Sequence, residues 1–92
     1  MDTFKIEKIL DVEQTEDLYK VSTLAQRMNG IIENPAERYE IDIGISLSSN
    51  GIRIYKIRGK KREKIKLFQQ EKFMKWLRSR SKEFDAEFAT MA

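Results

Sequence analysis

The chain has no cysteine and no histidine among its 92 residues. Without cysteine there is no disulfide scaffold and no thiolate zinc site. Without histidine the commonest general base, the commonest metal ligand and the usual near-neutral pH switch are all missing. No apolar run approaches the roughly 18 residues that a membrane span needs. The first residues, Met1-Asp2-Thr3-Phe4-Lys5-Ile6-Glu7-Lys8, have none of the apolar length of a signal peptide. No catalytic motif can be recognised. The expectation is a cytoplasmic protein that is not an enzyme, with no cofactor, no metal and no membrane contact.

What the chain does have is charge, and the charge is sorted. Residues 1–52 carry 5 basic and 10 acidic side chains, residues 53–82 carry 13 and 2, and residues 83–92 carry none and 3. The sums are −5, +11 and −3, so the net +3 hides one dense basic block. Such a block raises the local potential and favours an acidic or polyanionic partner. The length fits one small domain over 1–92 with a modest core, burying about 60–65% of the unfolded chain's surface. At 36% charged and 40% hydrophobic the composition is polar, but the apolar residues are periodic, so the chain is read as folded.

Phe4 and Ile6 alternate with Lys5 and Glu7, which gives a first strand over 3–10. Thr15 is placed as an N-cap, with Glu16 and Asp17 at the positive end of a helix dipole. Leu18, Val21, Leu24, Ala25 and Met28 then fall on one helical stripe, so a helix is expected up to Gly30. Asn34-Pro35 starts a turn. Tyr39, Ile41, Ile43, Ile45 and Leu47 alternate with Glu40, Asp42, Gly44 and Ser46, the pattern of a half-buried strand. Ser48-Ser49-Asn50-Gly51 reads as a hairpin turn.

The next strand, 52–58, starts in alternation and slips. A bulge at Ile54-Tyr55 would turn Tyr55 and Ile57 inward and Arg53, Lys56 and Arg58 outward. Gly59-Lys60-Lys61-Arg62 is a basic turn, and 63–68 is a third short strand. A second helix over 70–84 buries Phe73, Trp76, Leu77 and Phe84. Its basic residues Lys72, Lys75, Arg78 and Lys82 lie opposite, and Arg80 packs its stem beside Trp76. The fold class expected is α+β: a two-layer β-α-β-β-β-α domain with two helices on one face of an antiparallel sheet. The expected core is Leu18, Val21, Leu24, Met28, Ile41, Ile43, Ile45, Ile54, Ile65, Leu67, Phe73, Trp76 and Leu77.

The α-β-β-β-α order of 15–84 is similar, in topology only, to the double-stranded-RNA-binding domain. The β-β-β-α part is similar in the same way to small DNA readers that lay a sheet in the major groove. Gln69-Gln70-Glu71-Lys72 stands where the former has its basic helix opening, so no residue role is carried over.

Lys and Arg neutralise phosphates and release counterions. The basic block is therefore read as a nucleic-acid-binding surface for DNA or RNA. Arg53, Lys56, Arg58, Lys60, Lys61, Arg62, Lys64 and Lys66 would make backbone contacts, and the basic helix face is a second surface. The alternative is a protein-interaction module, an inhibitor or adaptor gripping an acidic protein. A homodimer through a sheet edge or through Met74, Phe84 and Phe88 fits that alternative. The 59–62 turn is not a P-loop, since its spacing is too short and a strand follows. Glu40 and Asp42 share a strand face, as paired carboxylates do in Mg²⁺ nucleases. No Glu-x-Lys accompanies them, so a charge ladder opposite Lys56 and Arg58 is the reading taken. Ser46, Ser48 and Ser49 have no base to activate them and are assigned to the turn. Tyr55 is buried if the bulge forms. Otherwise it lies outward beside Arg53, where it can stack on a base.

Overall fold

A computed structural model describes residues 1–15, 18–48 and 50–80. The first strand is long. β1 (Thr3–Gln14) pairs antiparallel with β2 (Tyr19–Met28), and its alternation is interrupted twice. Ile6 faces Ala25 while Lys8 faces Leu24, leaving Glu7 as an extra residue; Leu10 is a second one, between Ile9 and Asp11. These bulges keep Phe4, Ile6, Ile9 and Val12 on one side despite their uneven spacing.

The stretch expected as the first helix is strand β2, so the fold class is corrected. Leu18, Val21, Leu24, Ala25 and Met28 fit a helical stripe, but Tyr19, Val21, Thr23 and Ala25 also fit a strand. Those four are buried, between β1 on one side and β3 (Arg38–Ser48) on the other. Aromatic and β-branched residues suit a pleated surface, and two flanking strands outweigh weak local propensity. The topological likeness to the double-stranded-RNA-binding domain goes with the missing helix. The link from β2 to β3 turns at Gly30, with φ +65°, between mutually hydrogen-bonded Asn29 and Ile32. A short 3-10 turn follows at Pro35–Glu37.

β3 pairs with β4 (Gly51–Arg58) and β4 with β5 (Lys61–Lys64), both antiparallel. Ser48 faces Gly51, so the hairpin closes where it was expected. Arg58 faces Lys61, and Gly59 supplies φ +58° in the connecting turn. β6 (Lys66–Leu67) then pairs parallel with the start of β1, which makes one mixed six-stranded sheet in the order β5-β4-β3-β2-β1-β6.

The sheet curls until its ends meet. The Ile65 amide donates to the Ile54 carbonyl of β4 at 3.3 Å, and the adjacent Lys66 amide donates to the Asp2 carbonyl beside β1 at 2.8 Å. Neighbouring Cα atoms are about 3.8 Å apart, so one peptide unit bridges the two ends. The helix α1 (Gln70–Arg80) buries Phe73, Met74 and Leu77 in the same core as Phe4, Ile9, Val21, Ile43 and Ile45.

Among the described residues, a mixed six-stranded sheet and one α-helix therefore replace the expected two helices on an antiparallel sheet. Of the expected core, Leu24 and Trp76 are only half-buried and the rest is buried. Met74, expected as a dimer contact, is 4% exposed and belongs to the core. Phe84 and Phe88 lie outside the described residues.

The outer face carries its own small apolar spot. A Cβ at Gly44 would lie 2.9 Å from Ile57 Cδ1 and 3.0 Å from Leu18 Cδ2, so these two side chains cover the glycine.

Candidate nucleic-acid interface

Strand pairing fixes which basic residues share a side. In β4 the register runs unbroken from Asp42–Ile57 to Ser48–Gly51. The bulge expected at Ile54-Tyr55 is not there. Ile52, Ile54 and Lys56 share the core-facing parity; Arg53, Tyr55 and Ile57 share the outer one. In β5, Lys64 faces Tyr55 and Arg62 faces Ile57, so both lie on the outer side. Ile65 and Leu67 are buried and Lys66 is exposed, which places Lys66 outward as well. The outer face thus gathers Arg53, Tyr55, Arg62, Lys64 and Lys66.

Lys56 was expected outward and is not. Its ammonium lies 5.3 Å from the Phe4 ring centroid and 5.5 Å from that of Tyr39. Those rings meet edge to face at 6.5 Å. A cation over two aromatic faces is a packing element of the core's rim. Arg58 and Lys61 share the core-side parity but lie beyond the core and are exposed. They are like charges directly opposite each other, an arrangement that disfavours the hairpin unless an anion screens it. With Lys56, Arg62 and Glu63 they line a depression of about 470 Å³. Lys60 is exposed in the turn itself.

The expected ladder of Glu40 and Asp42 against Lys56 and Arg58 is also corrected. Asp42 faces Ile57 in β4, and its carboxylate is 3.7 Å from Lys20 Nζ of β2. Ser48 Oγ accepts the Asn50 amide at 3.2 Å, in keeping with its place in the turn, and Ser49 lies outside the described residues. Among the described residues, no three acidic side chains gather where they would hold a metal ion.

The ion pairs sharpen the charge pattern. Among the described residues all five lie within residues 2–42: Lys5–Glu33, Lys20–Asp42, Arg27–Asp2, Arg27–Glu37 and Arg38–Glu7. The Lys5 ammonium holds the Glu33 carboxyl below its ordinary range by hydrogen bonding and charge. The acidic first half is partly spent on its own cations, including Lys20–Asp42 on the outer parity, while Arg53, Lys64 and Lys66 have no ion-pair partner among the described residues.

The helix face is sparser. Lys72 and Lys75 are exposed, Arg78 is half-buried, and Lys82 lies outside the described residues. Arg80 is exposed. Because α1 packs on the core side, these residues and the outer face do not form one surface.

No known protein family, curated protein or solved structure matches this chain. Its function is argued from this geometry alone.

Proposed function

We propose that the protein is a non-enzymatic nucleic-acid-binding protein that contacts phosphates through the outer face of β4 and β5 and the adjoining 59–62 turn. The observation that carries this reading is the outward grouping of Arg53, Arg62 and Lys64 on the β4–β5 pair, continued by Lys66 at the start of β6; Arg53, Lys64 and Lys66 have no ion-pair partner among the described residues. Successive outward positions on a strand are about 6.7 Å apart, so Arg62 and Lys64 of β5 present neighbouring cations to a linear polyanion, and Lys66 of β6 follows two residues further along the chain. Lys60 stands in the turn at the end of this row, and Arg58 and Lys61 flank it on the core-side parity. Lys56 is withdrawn from the contact set because it packs on Phe4 and Tyr39.

The second reading is an interaction module for an acidic protein. Exposed isoleucines favour it: Ile31 is 84% and Ile32 65% exposed at the tip of the β2–β3 link. Exposed apolar side chains at a tip suit a protein surface better than a phosphate backbone.

A salt titration separates the two. Four phosphate contacts give a slope of log K against log salt of roughly −2.8 on a single strand and about −3.6 on a duplex. Binding to oligonucleotides with a slope near −3 is the expected result. No binding at low salt would overturn the nucleic-acid reading.

A further inference from the structure

We infer that the nucleic acid bound on this face is single-stranded, and that Tyr55 is the platform on which one of its bases stacks. The inference rests on the proposed nucleic-acid function and goes on to name the form of the ligand.

The first support is the position of the ring. The unbroken β3–β4 register puts Tyr55 outward, and it is only half-buried. Among the described residues it has no hydrogen-bond or ring-stacking partner. Its cross-strand neighbours are Gly44, which has no side chain, and Lys64. Arg53 lies two residues along the same strand. An aromatic ring flanked by cations serves sequence-tolerant single-strand binding: any base can stack on the ring while its phosphates reach the basic rim.

The second support is the apolar ground around the ring. Ile57 is half-buried beside it, and Ile57 and Leu18 close over Gly44. A duplex backbone gains nothing from that surface, because its bases are already stacked and paired. Unstacked bases do gain, since they can bury their faces there.

The third support is curvature. Residues 65 and 66 join the two ends of the sheet, so the face bearing Tyr55 is the outside of a curl. A straight duplex, stiff over about 150 base pairs, meets such a convex surface over a short length. A single strand bends with it.

The test uses the full chain and an oligothymidylate of about 16 nucleotides, near the upper end of single-domain site sizes. The same length as a mixed-sequence duplex is the comparison. The parent protein is expected to prefer the single strand. Tyr55→Ala is expected to weaken binding to it by at least about five-fold, the lower end of one base stack, with the salt slope unchanged because no phosphate contact is lost. Tyr55→Phe, which keeps the ring, is expected to stay within about two-fold of the parent. Thermal unfolding of both variants shows whether the fold is retained. If Tyr55→Ala lost the fold, Tyr55→Gln and Tyr55→Leu would repeat the comparison with the outward position still filled and no charge added. Full affinity in a folded ring-less variant, or a parent that binds duplex as tightly as single strand, overturns the inference and leaves the nucleic-acid reading standing. A parent that binds neither probe overturns both.

Discussion

Lys56 shows how much one residue's facing decides. Read in sequence, it is one of thirteen cations in a basic block. In the fold its stem lies on the core side of β4, and its charge sits over Phe4 and Tyr39. Lys56→Ala is therefore expected to lower stability by about 1 kcal/mol in urea unfolding and to leave nucleic-acid affinity within about two-fold. Arg53 is the converse case: exposed, outward and free of ion pairs among the described residues. Gln26 is the residue that composition flags least. It is fully buried, yet its amide nitrogen donates to Glu7 Oε1 at 3.0 Å and its carbonyl accepts the Asn34 amide. Glu7, the extra residue of the first bulge, also holds Arg38 at 2.7 Å. Gln26→Leu is expected to cost about 1–3 kcal/mol, because it leaves the Asn34 amide and a Glu7 oxygen short of a partner; chemical denaturation would measure it.

At the scale of elements, legibility followed the cleanness of the alternation. β3, its hairpin and β4 were legible because isoleucines repeat every second residue from Ile41 to Ile45 and Asn50-Gly51 closes the turn. The helix was legible because Phe73 and Leu77 lie four apart and Met74 fills the gap between them. β2 was not, because Leu18, Val21, Leu24, Ala25 and Met28 satisfy a helical period as well as part of a strand's. Only the flanking strands β1 and β3 choose between them. β1 was half legible: its two bulges shift Ile9 and Val12 out of a period of two, and the sequence carries no glycine there to mark them. The slip in β4 was visible but misassigned. Ile57 is apolar and outward because Gly44, diagonal to it across the β3–β4 pair, leaves a gap that Ile57 and Leu18 cover. No bulge is needed to explain it. The candidate site was therefore legible in its charges and illegible in its grouping, since parity in β4 turns on that one unseen contact.

At the scale of the molecule, sorted charge along the chain becomes sorted charge in space. The first half pairs its cations with its own carboxylates, and curling the sheet turns Arg53, Arg62, Lys64 and Lys66 to the outside around Tyr55. The helix carries its basic residues on the other side of the core, so two surfaces of like sign compete for any polyanion. Comparing two variants of equal net charge isolates the face from the overall attraction. Lys64→Glu with Lys66→Glu changes the outer face; Lys72→Glu with Lys75→Glu changes the helix by the same four units of charge. The decisive measurement is the affinity of both for a single-stranded oligonucleotide at one low salt concentration. The account predicts a loss of at least about tenfold for the strand pair and a clearly smaller loss for the helix pair. Equal losses, or a greater loss from the helix pair, would contradict it.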